Sequence, residues 1–334
     1  MGNWLNGWTR LAVVCVAGLG VVTVGPREAL NSASTCGPGT LGVSRTVEID
    51  TKGGPRYGLM QYKDHDFLAD GEVVLTFDDG PLRRHTQAIL NALESHCTKA
   101  TFFMVGTMAL SDAPMVREVA LRGHTVGSHT WSHRYQLGRI TPQRATQEIE
   151  LGISAIQLAL GEPLAPFFRF PFLSDQKAAM GHLSERNISA FSIDVDSLDY
   201  RAKGAGGADA VYRRVMNDLA TLKKGILLFH DIQPTTAAAL PRILEGLKAK
   251  GFKVVHIVGK TKGTTLAEYD GMAEKEASRR RSVVAAAPLA PRAVTWPLAS
   301  PATTQGWAPT SVAPANDTAP AAPEPDWRRS VFGN

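Results

Sequence analysis

The residues best suited to chemistry in this chain of 334 residues lie in five short polar clusters, each at the end of an apolar run. The first, Thr76-Phe-Asp-Asp-Gly80, closes a run that begins at Val73. Neighbouring carboxylates on a strand face different ways, so one can bind a cation while the other stays free as a base. The second is His129-Thr-Trp-Ser-His133. Histidines four apart project from one face of a helical turn and can share one cation. Adding Asp79 makes a set of two histidines and one carboxylate, which leaves a position open for water, as in catalytic zinc sites. The third, Arg169-Phe-Pro-Phe172, offers a guanidinium that can keep a carboxylate ionised and fix its direction. The fourth, Asp194-Val-Asp-Ser-Leu-Asp-Tyr200, carries three carboxylates, a density that is costly unless it serves metals, bases or partner histidines. The fifth, Leu227-Leu-Phe-His-Asp231, presents His230. Each cluster alone has a plainer reading: a turn or helix cap, a solvated histidine pair, a surface ion pair, an acidic loop. Their recurrence at the same kind of place is what points to a site. His124, close to the second cluster, reads as a structural hydrogen-bonder.

Those runs are strand-like. Val73–Asp78, Ala100–Val105, Thr125–Ser128, Phe167–Phe170, Ile188–Ile193, Ile226–Phe229 and Lys253–Ile257 alternate with helical patterns over 86–94, 115–121, 141–160, 176–186, 209–222 and 235–250. Thr141 before Pro142 is a strong helix start, a capping hydroxyl followed by proline at the first helical position. Apolar strands alternating with helices predict an α/β fold with a parallel sheet covered by helices. Seven such units in this length favour a barrel over a doubly wound sheet, and a parallel barrel gathers its strand ends, hence all five clusters, on one face.

Composition bounds the rest. The chain is 44% hydrophobic and 20% charged, enough for one sizeable core plus tails. A net charge of +5 is too mild to argue for nucleic-acid binding. Arg10 precedes an apolar run from Leu11 to Val24, too short to span a bilayer comfortably and matched to a secretory signal, with a small-residue zone at 31–35; an uncleaved anchor is the alternative. The expected organisation is a signal over 1–35, an extension over 36–70, a catalytic barrel over 71–260 and a basic, Pro/Ala-rich disordered tail over 261–334. Nine prolines between Pro288 and Pro325 motivate the last of these. Arg279, Arg280 and Arg281 could touch an anionic polymer, though a soluble linker is the simpler reading. Cys15 falls inside the signal, so Cys36 and Cys97 remain, either as a disulfide in an oxidising compartment or as two thiols.

In order and in kind, the five clusters resemble the five motifs of the polysaccharide deacetylases, the family-four carbohydrate esterases with the nodulation-type deacetylase domain, over residues 70–258. The resemblance implies a distorted (β/α) barrel, usually of seven parallel strands. It implies Asp78 as general base and Asp79, His129 and His133 as ligands of a divalent metal, Zn²⁺ by preference. Arg169 would orient the base, and Asp196 would pair with His230, the general acid. Pro171, Phe172 and Tyr200 would line the sugar groove, and Leu228 the pocket for the acetyl methyl. One departure is visible: the fourth motif commonly ends Asp-Trp, and here it ends Asp199-Tyr200. The activity implied is hydrolysis of N-acetyl groups from N-acetylglucosamine units of a secreted or envelope glycan, with no stable membrane insertion once the signal is removed. An O-acetyl esterase on a glycan such as acetylated xylan, an inactive glycan-binding module and a zinc-storage site are the competing readings. An arginine and a cation beside Asp78 would hold its pKa low, and a carboxylate partner would raise that of His230.

Overall fold

In a computed structural model, residues 36–37, 39–204 and 206–286 are described. The expected signal over 1–35 and most of the proline-rich tail lie outside these residues. In chain order the strands are β1 (Arg45–Ile49), β2 (Arg56–Tyr57), β3 (Glu72–Asp78), β4 (Thr101–Met104), β5 (Thr125–Ser128), β6 (Phe167–Phe168), β7 (Ser189–Phe191), β8 (Val195–Asp196), β9 (Gly225–His230) and β10 (Lys253–Gly259). The helices are α1 (Arg83–Ser95), α2 (Gly106–Ser111), α3 (Ala113–Leu121), α4 (Pro142–Leu160), α5 (Lys177–Glu185), α6 (Gly207–Leu222), α7 (Pro234–Ala249) and α8 (Ala267–Ala286).

Every strand pairing is parallel. The central path runs β8–β9–β3–β4–β5–β6–β7, with β2 against β7, and with β10 and then β1 attached beside the start of β3. This is the α/β fold expected, with all seven anticipated strands present. The barrel stays open: among the described residues no ladder joins β7 to β8, although they follow one another in the chain.

Alternation along β3 sets the layers. Val73, Leu75 and Phe77 join the core formed with α1, α3, α4, α6 and α7, which includes Ile89, Val119, Ile149, Val215 and Leu244. Val74 turns the other way, into an interior packed with Phe103, Phe167, Phe191, Ile226 and Ile257. Thr76 and Asp78 share that interior direction by the same period of two, so the strand delivers a carboxylate to the mouth of the barrel. In β9 the same period puts Ile226, Leu228 and His230 on one face.

The helix α4 starts where the sequence said, with the Thr141 hydroxyl accepting from the Arg144 N–H, and stops at Gly161 with φ 85°. The tail expectation needs correction. Within 261–334, residues Ala267–Ala286 form α8, which packs Ala273 and Tyr269 against Leu151 and Ala155 of α4. Small side chains at 273 and 277 let this charged helix lie close to its neighbour, both being buried. Cys36 and Cys97 form a disulfide, with Cα atoms 5.7 Å apart.

Candidate active site

Four of the five clusters meet at the C-terminal ends of β3, β5, β6 and β9, and the fourth cluster joins them through its last carboxylate. Arg169 follows β6 and is wholly buried beneath the mouth. Its Nη1 donates to Asp78 Oδ1 at 2.8 Å and Thr76 Oγ1 at 2.7 Å. Nε and Nη2 donate to the carbonyls of Phe191 and Ser192, and the guanidinium lies 4.3 Å from the centre of the Phe103 ring. A buried guanidinium is tolerated only when its fork is satisfied in this way. Asp78 Oδ1 is therefore engaged, while Oδ2 faces the His129 ring, 3.8 Å from Nε2.

His129 Nδ1 lies 2.7 Å from the Arg169 carbonyl, a contact that requires the proton on Nδ1 and leaves Nε2 with a free lone pair. His129 Nε2 and His133 Nε2 stand 3.5 and 3.3 Å from Asp79 Oδ1. Burial lowers the pKa of both rings, well below the ordinary value for His129, so both are neutral and able to act as ligands near pH 7. Asp79 Oδ1 is buried and has no hydrogen-bond partner. A buried carboxylate oxygen aimed at two neutral imidazole nitrogens is costly by itself and fits a cation. These three residues are the group among the described residues whose donor atoms lie close enough together, within 4.8 Å, to hold a metal ion.

The histidines do not sit on a helical turn. Residues 129–133 form a loop, with Thr130 at φ 71° and His133 at φ 54°. Backbone bonds from Gly106 and Thr107 of α2 to the carbonyls of Thr130 and Trp131 hold it on one side, and Trp131 N–H donates to Glu148 of α4 on the other. Gly152 permits that approach, since a Cβ there would lie 2.5 Å from the Thr130 carbonyl carbon. Phe172 sits half out of the surface, its ring 4.7 Å from that of His133; Pro171 is buried beside it.

The acid pair is also different from the expectation. His230 Nδ1 lies 2.7 Å from Asp199 Oδ1, and the His230 backbone N–H donates to Asp199 Oδ2 at 2.7 Å. Thr236 Oγ1 donates to the same Oδ2. Asp196, the expected partner, is paired in register with Leu228, two residues short of His230, and its carboxylate accepts from the Leu198 N–H. Asp194 caps the Leu59 and Ile226 N–H groups and serves the loop. Burial by itself would lower the His230 pKa, but Asp199, through charge and hydrogen bond, with Asp79 and Asp78, raises it to about 10. For Asp78, burial pushes the pKa up to about 6, against the pull of Arg169 and His230, a pull to which a cation held by Asp79 would add. Tyr200 stands edge-on to His230 with ring centres 5.4 Å apart, and Leu228 is buried on the His230 face of β9. His124 accepts the Ala100 N–H, as a structural residue would.

Comparison with known proteins adds to this geometry. Residues 68–189 match the family model described as polysaccharide deacetylase. A polysaccharide deacetylase of known structure from Bacillus cereus is 30% identical, with 55% of this chain covering 91% of it at a TM-score of 0.50. This chain belongs to the polysaccharide deacetylase family. The peptidoglycan deacetylase of Bdellovibrio bacteriovorus is 31% identical, covering 65% of this chain and 59% of that one, with a TM-score of 0.58. The peptidoglycan-N-acetylglucosamine deacetylase of Listeria monocytogenes is 33% identical over 188 residues, 55% of this chain. The present chain spans only 38% of that relative's length. The deacetylase family match takes in the first three clusters and ends before Asp199 and His230, so the acid pair rests on the geometry above. Asp231 is a further buried carboxyl that the sequence did not single out for a role. It accepts from the Thr86 hydroxyl, and burial raises its pKa to about 7.

Proposed function

We propose that the protein hydrolyses the N-acetyl amide of N-acetylglucosamine units in a polysaccharide or oligosaccharide, releasing acetate and a free amine. The observation that carries this reading is the pairing of β3 with β9, which sets Asp78 and His230 side by side in register, next to the Asp79, His129 and His133 group. An amide is a weak electrophile with a poor leaving group, so it needs activation of water, polarisation of the carbonyl and a proton for the nitrogen. A divalent cation held by Asp79, His129 and His133, zinc in this proposal, supplies the Lewis acidity.

The chain's own groups do the proton work. Asp78 Oδ2, the oxygen left free by Arg169, takes a proton from the attacking water. Arg169 fixes the carboxylate plane through Oδ1 and favours its charged form against the cost of burial. His230 gives the proton on Nε2 to the departing nitrogen, while Asp199 accepts from Nδ1 and sustains the imidazolium. Tyr200, Phe172 and Leu228 supply flat and apolar walls for the sugar and its acetyl group. The relatives named for peptidoglycan N-acetylglucosamine deacetylation support the substrate class. The Cys36–Cys97 bond supports a location outside the cytoplasm, in the envelope or secreted, because such bonds persist where thiols are not kept reduced. The test is acetate release from N-acetylglucosamine oligomers, before and after exhaustive chelation and after zinc is restored. Full activity in the chelated protein would refute the metal assignment, and no acetate at any stage would refute the reaction.

A further inference from the structure

A groove of about 510 Å³ opens beside Asp79 and His133 and reaches α8, where Glu276, Arg279 and Arg280 line it. Its size lies within the roughly 300–1,000 Å³ usual for small-molecule sites. Two aromatic rings stand in its wall, each with a guanidinium against it: Arg280 lies 5.8 Å from the Trp131 ring and Arg144 lies 5.3 Å from the Tyr135 ring. Flat aromatic faces suit the apolar face of a sugar ring, and the arginines suit an acidic group.

The charges do not balance. Glu276 is shared by Arg279 and Arg280 at 2.7–3.1 Å, so that part of the wall is compensated. Arg280 is fixed further by the Ser111 hydroxyl and the Thr107 carbonyl. Glu148 is buried and held by the Ser132 N–H and hydroxyl at 2.9–3.0 Å. Arg134 and Arg144 are exposed, and neither makes an ion pair within 4.0 Å among the described residues. The buried Glu148 carboxylate feels both Arg134 and Arg144 through charge but touches neither, so the groove presents two exposed guanidiniums with no carboxylate in direct contact, next to the reacting centre.

We infer that this groove takes a sugar unit bearing an oxyanion, carboxylate or phosphate, adjoining the unit that loses its acetyl group. The inference deepens the deacetylase reading and rests on it for its kinetic test. Guanidinium forks bind either oxyanion through paired N–H donors, and the discrimination is against neutral chains, which leave both arginines unmatched.

The experiment uses the full chain and an Arg134→Gln/Arg144→Gln variant with three matched N-acetylglucosamine-containing oligomers: neutral, carboxylate-bearing and phosphate-bearing. Wild-type protein is expected to favour one oxyanion-bearing oligomer through KM, by about 10-fold, the size of a lost charged hydrogen bond, with the preference shrinking as salt is raised. Which oligomer is favoured names the source of the oxyanion. The variant should lose that preference, so that the KM values of the three oligomers converge. Equal KM for all three oligomers in the wild type, or an equal loss on neutral and charged oligomers in the variant, would overturn the inference. Calorimetric titration of the same oligomers into the zinc-loaded protein reads the groove without turnover. If no oligomer is deacetylated, the reaction is wrong, yet tighter binding of an oxyanion-bearing oligomer that the variant loses still supports the groove, and equal binding overturns it.

Discussion

Replacing Asp199 with Asn should remove the acid without removing the site. In the native arrangement Asp199 Oδ2 accepts from the His230 backbone N–H and the Thr236 hydroxyl, and Oδ1 takes the Nδ1 proton. An asparagine must keep its oxygen where the two fixed donors point, so its NH₂ faces Nδ1. That contact favours the neutral ring with its proton on Nε2, and the largest of the charges that raised the pKa to about 10 is gone. Burial then pulls the ring down towards the ~6.5 of a free imidazole, against the remaining charges of Asp79 and Asp78. At pH 8 the protonated fraction falls from nearly complete towards ~3%, a loss of up to ~30-fold in kcat relative to wild type at the same pH. The signature is the direction. The ratio of variant to wild-type rate should rise as pH falls, because only the alkaline limb has moved. Asp196→Asn, by contrast, touches only a turn and should leave the limb in place. Acetate release against pH from 5 to 10 for the three proteins decides it. A uniform loss at every pH in Asp199→Asn, or a limb that moves in Asp196→Asn alone, would refute the assignment.

Three other expectations are quickly stated. His133→Ala removes one of the three proposed ligands at a position with φ 54°, so bound zinc measured by elemental analysis should fall from near one per chain to near zero, with a fold cost of only ~1 kcal/mol. Retention of zinc would place the metal elsewhere. Cys97→Ser opens a loop of 61 residues and should lower stability by up to about 4 kcal/mol in denaturant titration; two alkylatable thiols in the exported native protein would show that the bond does not form. Ending the chain at Thr265 uncovers Leu151, Ala155 and Trp131, and should cost ~2 kcal/mol and lower Tm by roughly 4–8 °C. An unchanged Tm would mean that α8 contributes no packing.

What could be read from the sequence was what local pattern controls. Apolar runs marked β3, β4, β5, β6, β7, β9 and β10, and Thr141-Pro142 marked the start of α4. The polar residues at strand ends marked the site, because a parallel fold collects those ends. The misreadings are all long-range. Whether Asp196 or Asp199 reaches His230 depends on the register of β8 against β9, which pairs Asp196 with Leu228, and on Leu198 at φ 51°, which turns the chain before Asp199. The spacing of His129 and His133 mimics a helical turn, yet α2 and α4 capture the loop between them. The inward stripe of α8, half-buried Tyr269 with buried Ala273 and Ala277, keeps a period of four but is hidden among charges, and its value depends on the facing surface of α4. Only the partner surface makes such a stripe a packing face.

The adjacent carboxylates show how the fold overrides a strand's own geometry. In an extended strand Asp78 and Asp79 would point to opposite faces, one into the barrel and one among the helices. Asp78 keeps the interior direction that Val74 and Thr76 establish. Asp79 leaves the extended region altogether, at φ 78°, a conformation that costs most residues ~1–2 kcal/mol and that aspartate tolerates better than branched side chains. The consequence is that both carboxylates face one imidazole: Asp78 Oδ2 and Asp79 Oδ1 lie 3.8 and 3.5 Å from His129 Nε2. Gly80 completes the arrangement, because a Cβ there would lie 2.0 Å from the Asp231 carboxylate that lies beneath the turn. The Asp-Asp-Gly order thus has a physical reading. The first carboxylate inherits its direction from the strand, the second acquires it from a left-handed turn, and the glycine lets that turn lie on a buried acid. A regular continuation of β3 would keep the proposed base and lose the proposed ligand.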